Sequence, residues 1–382
     1  MKNLTLLSFL SICVFANESE ILTQTKQEII DLKKEQIQQK KKTNQYDWVG
    51  DINLKASLST NQDDIQSEDY SISISQDIFR FGGIGSKIKY AKELENLQNL
   101  ELKKDTKSDL STLYTLLIDI KQNELSLKQN ILNTKNTKID IAHKKSEYKA
   151  GQLSISELNN AIMKKNNLRD TYQTILLTKQ KNINSLKEYT SKSYNIIKIP
   201  NISLLKEESF LKESLDLKYL FSNKEVLNLS YEIKKSDYLP VLSIDGKYGY
   251  SNTDEIKGDD YYNYGLNLTI PLRFTSSNDI QNTKLEYLIN KQNVDKKKNE
   301  LQLIYNETLL SINSNKQKIK LANEDIKLYE DLLFINIEEY KAGYKTIDDV
   351  QTLENSKLIR ELDIKFYKLN IEKELLRLYF MI

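Results

Sequence analysis

The sequence predicts a mainly α protein with a membrane β part, in which long antiparallel α-helical coiled-coil hairpins alternate with four amphipathic strands and the whole plan occurs twice. Three observations predict it. A stretch of about 65 residues from Ile84 to Tyr148 reads as one helix ending at Gly151, and at 1.5 Å per residue it would span roughly 100 Å. A second rod of nearly the same length runs from Ile280 to Tyr340, and both stop at one word: Tyr148-Lys149-Ala150-Gly151 and Tyr340-Lys341-Ala342-Gly343. The two words lie about half the chain apart, which makes the chain a duplication of one large unit. Ahead of each rod, the sequence alternates apolar and polar residues through two strands.

Taken in order, Lys2, an apolar run from Leu4 to Phe15 and Ala16 read as a secretory signal peptide, residues 1–16. Cys13 lies within it; Ile12 is too bulky for the small residue expected before a lipidated cysteine, so removal is expected. The mature chain then has no disulfide and no thiol chemistry. No later run is apolar and long enough for a transmembrane helix.

The first repeat, 17–198, opens with a polar helix from Glu18 to Lys42. In its hairpin, 49–79, Ile52, Leu54, Ala56 and Leu58 oppose Asn53, Lys55, Ser57 and Ser59. An acidic turn with Asp63, Asp64, Glu68 and Asp69 leads to Tyr70, Ile72, Ile74 and Ile78 set against Ser71, Ser73 and Ser75. Phe79 to Gly83 opens the long helix, 84–150, and a return helix follows over 154–190. The return helix is apolar at Ile155, Leu158, Ile162, Leu168, Tyr172 and Ile175, so it pairs with the rod as an antiparallel coiled coil. Ile196, Ile197 and Ile199 ahead of Pro200 predict a short joining strand.

The second repeat, 199–382, restarts with a helix from Glu207 to Lys235 and a hairpin over 240–272. There Leu242, Ile244, Tyr248 and Tyr250 oppose Ser243, Asp245 and Lys247, and Tyr264, Leu266, Leu268 and Ile270 oppose Asn263, Gly265, Asn267 and Thr269. Its acidic turn holds Asp254, Glu255, Asp259 and Asp260; a long helix, 277–342, and a return helix, 346–381, complete it. On this partition the glycines and prolines are expected to fall outside the helical stretches.

Composition agrees with a thin object. Only 39% of residues are hydrophobic while 29% are charged, as expected when each hairpin buries a narrow stripe. The 56 basic and 54 acidic residues cancel to +2, which excludes a strongly basic nucleic-acid face. An apolar strand face suits lipid, with Tyr46, Trp48, Tyr261, Tyr262 and Tyr264 placed for an interfacial belt. Four strands cannot close a barrel, and open edges are not tolerated in lipid, so several chains must share one.

At this point the residues resemble the TolC-type outer membrane efflux proteins. The resemblance covers the mature chain and is most specific at the tip words, Tyr148 through Ala161 and Tyr340 through Val350, at Tyr238-Leu239-Pro240-Val241-Leu242-Ser243 and at Ile270-Pro271-Leu272. Asp77 stands opposite Pro271, and Thr275-Ser276 opposite Gly82-Gly83, so neither strand-to-helix junction is complete. The resemblance implies a homotrimer with a twelve-stranded barrel in outer-membrane lipid and a tunnel in the periplasm. It further implies tips that dock a periplasmic adaptor protein linked to an inner-membrane pump, with Gly151, Leu153, Ser154, Glu157, Gly343, Thr346, Ile347 and Asp349 as the docking residues. A tunnel constriction would fall near Asp331, Glu338 or Glu339. The function implied is the exit duct of an efflux pump, with type I protein secretion as the rival inside the class and a poreless periplasmic scaffold outside it.

No bond chemistry is expected. His143 is the single histidine, and a metal ligand would need partners. Gly82 to Lys87 lacks the Gly-Lys-Ser/Thr order of a phosphate loop, and the acidic turns lack calcium-loop spacing, so no cofactor is implied.

Overall fold

The computed structural model describes residues 19–62, 65–253 and 258–382. The signal-peptide reading, Cys13, and the turn residues Asp63, Asp64, Asp254 and Glu255 lie outside them. After a single helical turn at Ser19–Ile21 come α1 (Gln24–Gln45), β1 (Ile52–Thr60), β2 (Gln66–Phe79), α2 (Gly83–Lys149), α3 (Ile155–Tyr189), α4 (Glu207–Glu213), α5 (Leu215–Ser236), β3 (Val241–Thr253), β4 (Asp259–Thr269), α6 (Ser276–Lys341) and α7 (Ile347–Tyr379). Packing divides the chain into two units. One comprises residues 19–29, 105–212 and 300–382, the other residues 30–104 and 213–299.

The two rods, α2 and α6, have 67 and 66 residues. Glycine punctuates them less cleanly than expected: Gly83 and Gly85 lie in the first turn of α2, not before it. Gly83 is required there, because a Cβ would fall 2.2 Å from the Ser236 Oγ of α5.

In the first unit the core is a stripe on α2, with Leu110, Leu113, Leu117, Ile118 and Ile120 buried at helical spacing. Leu301 on α6 and Leu376 on α7 are buried too, and Tyr114 stacks on Phe380 with ring centroids 5.6 Å apart. Each such aliphatic side chain contributes about 1.5–3 kcal/mol. Lys107 is also buried, its ammonium 4.3 Å from the centre of the Tyr379 ring.

Two expectations need correction. The helix over 207–235 is two helices, because Ser214 leaves helical geometry (φ −52, ψ 122) and its hydroxyl accepts from the Leu217 N–H as an N-cap. The break lets Phe210, Leu215 and Leu217 all be buried. The joining strand at 196–199 is absent: this segment pairs with no strand, and only Ile197 of its isoleucines is buried.

In the second unit, the four strands form one antiparallel sheet in the order β1-β2-β3-β4. Register brings Leu54, Ile72, Tyr248 and Tyr262 into one row, and Asn53, Ser73, Lys247 and Asn263 into a row of opposite parity. The predicted parity fails once. A bulge between Asp77 and Phe79 leaves Ile78 outside the ladder and pairs Phe79 with Leu242. Ahead of the bulge, Gln76 continues the row parity of Ile72 and Ile74 and so stands on the apolar face, opposite Ile244. Its amide is satisfied by the Gly50 N–H at 2.8 Å and by the carbonyls of Trp48 and Asp77.

Candidate functional site

The two hairpin tips are built alike. In the first, the Gly151 N–H donates to the Tyr148 carbonyl at 3.0 Å and the Gln152 N–H to that of Glu147 at 2.9 Å. In the second, Gly343 donates to Tyr340 at 3.0 Å and Tyr344 to Glu339 at 2.8 Å. This is the Schellman closure, and it requires left-handed backbone at the glycine, here φ 73 at Gly151 and φ 83 at Gly343.

The return helices are then capped. The Ser154 Oγ accepts from the Glu157 N–H, and the Thr346 Oγ1 from the Asp349 N–H, both at 3.3 Å. Only the second tip has the reciprocal arm: Asp349 Oδ2 accepts from the Thr346 N–H at 3.0 Å and from its hydroxyl at 2.8 Å. The Thr346 backbone, then its side chain, hold the Asp349 carboxyl below its ordinary range. Leu158 and Val350, each four residues past the cap, are buried beneath the tips.

Six of the eight tip residues singled out from sequence thus have structural work: two glycines in reversed backbone and Ser154, Glu157, Thr346 and Asp349 in caps. Ile347 stays exposed and Leu153 half-buried. Sequence reasoning missed Tyr344, which is 84% exposed beyond the second glycine, and Ile155, exposed in the first turn of α3. The signal was there, since large apolar residues at a turn have no core to enter.

The structure does not gather the three proposed constriction carboxylates. Asp331 is exposed on α6, Glu338 is ion-paired with Lys341 at 2.7 Å, and Glu339 supplies its carbonyl to the tip closure.

Below the tips, α2 of the first repeat meets α7 of the second along a polar seam. Asp119 pairs with Lys373 at 2.7 Å, Gln122 donates to Asn370 at 2.7 Å, and Gln129 to Asp363 at 2.7 Å. Asn136 donates to Ser356 and accepts from Asn355, and His143 Nε2 lies 3.7 Å from Asp348 Oδ2. On α2 the residues 122, 129, 136 and 143 are seven apart, and their partners step back along α7 by seven or eight residues. Sidedness of this kind identifies an antiparallel coiled-coil interface held in register by polar side chains. Asn370 carries the contact on to Asn315 of α6.

In the sheet, the apolar face is uncovered. Leu54 is 81% and Tyr264 80% exposed, and Leu58, Tyr262, Leu266, Leu268 and Ile270 are exposed as well. The opposite face is polar and internally bonded: the Tyr261 hydroxyl donates to Asp69 at 2.8 Å, Lys247 lies over the Tyr261 ring, and Asn267 donates to Asp245. Among the described residues no helix is apolar enough to cross a membrane, and no cluster of ligating side chains could hold a metal ion.

The sequence matches no family model and no curated protein. Solved structures do match over nearly the whole length. The Campylobacter jejuni CmeC outer membrane channel superposes with a TM-score of 0.71 at 14% identity, covering 94% of this chain and 84% of that one. The outer membrane protein VceC of Vibrio cholerae gives 0.71 at 13% identity, over 91% and 92%. The open state of the Neisseria gonorrhoeae MtrE outer membrane channel gives 0.67 at 12%, over 94% and 87%. With duplicated hairpins, a four-stranded antiparallel sheet and coextensive matches to these channels, the chain has the TolC-type outer membrane channel fold.

Proposed function

We propose that this chain is an outer-membrane exit duct, a passive channel whose strands enter the membrane and whose hairpin tips engage a periplasmic adaptor working with an inner-membrane pump. The observation that carries the reading is the uncovered apolar sheet face opposed to a bonded polar one. A sheet in water would cover the first and expose the second; a barrel wall turns the first to lipid and the second to an aqueous lumen. Ten residues of strand at about 3.4 Å each, tilted by about 40°, reach roughly 26 Å, the height of the apolar band in such barrels.

Closure requires further copies. Neither β1 nor β4 has a second strand partner among the described residues, and unpaired edges are not viable in lipid. Three chains supply twelve strands. Exposed apolar residues seven apart on α3 (Ile155, Ile162) and on α6 (Leu321, Leu328, Ile335) are suited to pack against a neighbouring copy in the same assembly.

Electron microscopy of the mature chain, purified from outer membranes in detergent, tests the duct. A three-fold ring on a helical tunnel is the expected particle, and a soluble particle without a ring overturns the reading in favour of a scaffold. Deletion strains assayed for drug susceptibility and for protein secretion then separate an efflux duct from a type I secretion duct, the reading expected here being heightened drug susceptibility.

A further inference from the structure

The chain has one histidine, and it occupies the last rung of the seam between the repeats, nearest the tips. The other rungs need no proton. Gln122, Gln129 and Asn136 are neutral donors in ordinary hydrogen bonds, and Lys373 donates to Asp119 at 2.7 Å. His143 differs in kind, because at 3.7 Å from Asp348 it makes no hydrogen bond, and the contact is attractive only as an ion pair. An imidazole exchanges its proton within the pH range where bacteria live.

We propose that His143 and Asp348 form a proton-operated latch between α2 and α7, closed when the imidazole is protonated and released when it is neutral.

The surroundings select Asp348 as the counter-ion. Its neighbour Asp349 is engaged in the cap with Thr346, whereas no cap bond occupies the Asp348 carboxylate. On His143's own helix, Asp140 is paired with Lys144 at 3.4 Å, and Lys145 and Glu147 point to exposed positions. From the second tip come Lys345, Asp348 and Asp349. On α3, the hairpin partner of α2, residues 155–165 carry Glu157, Lys164 and Lys165, and the ion pair formed by His143 is the one with Asp348. The positive end of α7 opposes the imidazolium, but the two carboxylates in its first turn outweigh that half-charge.

The position gives the pair leverage. Interior rungs are held from both sides, while the terminal rung is where two helices fray first, so a modest interaction there shifts populations that the same interaction mid-seam would not. An exposed ion pair of this kind corresponds to about a 1.5- to 5-fold change in the frayed population. Acid holds the hairpin ends together and alkali lets them part. If the tips dock an adaptor as proposed above, this pair sets how readily the tip surface reshapes, and to that extent its role rests on the duct reading.

Spin labels test the latch directly. In the full mature chain, which on the signal-peptide reading has lost Cys13, cysteines are introduced as Lys145→Cys and Gln351→Cys, both exposed and outside the seam. Labelled chains are diluted into unlabelled ones so that only distances within a chain are read. The expected result is a longer-distance population that grows about 1.5- to 5-fold between pH 5.5 and pH 8. His143→Gln holds it at the high-pH level and His143→Lys at the low-pH level, at both pH values. A pH response that persists in His143→Gln, or no response in the parent, overturns the proposal. Because distances are read without export, failure of the latch leaves the duct reading standing, and a particle without a ring leaves the latch testable.

Discussion

Gln129 on α2 donates its side-chain amide to Oδ1 of Asp363 on α7 at 2.7 Å, one rung of the seam that joins the two copies of the repeat. The same carboxylate accepts from Arg360 at 2.9 Å through its other oxygen, and Arg360 reaches on to Asp325 of α6 at 3.1 Å. The bond to Asp363, more than any other contact, raises the Arg360 guanidinium above its ordinary value. Apolar seams tolerate sliding by a turn; a ladder of specific donors and acceptors does not.

The buried rung should therefore be sensitive to loss of one partner. Gln122→Ala strands the Asn370 side-chain oxygen and is expected to lower stability by about 1–2 kcal/mol, whereas Gln122→Leu with Asn370→Leu and Asn315→Leu removes all three linked amides together and should recover part of it. Thermal melts followed by helical circular dichroism check the order of the three proteins.

The tip glycines have a purely conformational requirement. A Cβ at either meets nothing within 4 Å, so Gly151→Ala and Gly343→Ala should each cost about 1–2 kcal/mol from left-handed backbone alone. Hydrogen exchange at the Gln152 and Tyr344 amides, whose bonds close the tips, should accelerate in the respective variants, and asparagine at the same positions should be milder.

Asp349 gives the second tip an acid limit that the first lacks. Its folded-state carboxyl lies below the unfolded value of about 4, so its contribution is complete above that pH and disappears as the pH falls through the folded value. Protection of the Thr346 amide should stay constant from neutral pH to about 4 and fall only below it. Asp349→Asn should abolish that dependence, and Thr346→Ala should cost about 1 kcal/mol at neutral pH.

The two sheet faces should respond oppositely to charge. Leu54→Arg and Tyr262→Arg lie in one apolar row and are each expected to cost about 2–4 kcal/mol of membrane assembly near mid-depth, while Asn263→Arg, on the polar face, should assemble. The amount of oligomer recovered from outer-membrane fractions separates the cases.

Much of this architecture was legible because its signals are local. Tyr-Lys-Ala-Gly ends a helix wherever it stands, and alternation of Ile52, Leu54 and Leu58 states its own period. The seam was not, because Gln122, Gln129, Asn136 and His143 read as members of a solvated face until a second helix is placed beside them; their seven-residue interval was the available clue. The helix break at Ser214 depended on its hydroxyl capping the Leu217 N–H, and the missing strand at 196–199 on the lack of a strand to pair with. At the tips, residue types pointed to the turn, and the capping bonds of Ser154, Thr346 and Asp349 are what the single chain adds to them.

The bulge at Ile78 has a counterpart nowhere in the β3–β4 ladder, whose pairing runs without a shift from Val241 to Ser251. It turns Phe79 onto the apolar face, and just beyond it Arg80 is ion-paired with Asp237 and Asp77. The duplicated halves of the gene product have therefore become mechanically unequal at the point where strand gives way to helix. One half is held there by Arg80 between two carboxylates and the other by the Tyr238 and Thr275 hydroxyls on Asp279, so a ring assembled from this chain would repeat by the whole molecule and never by its half.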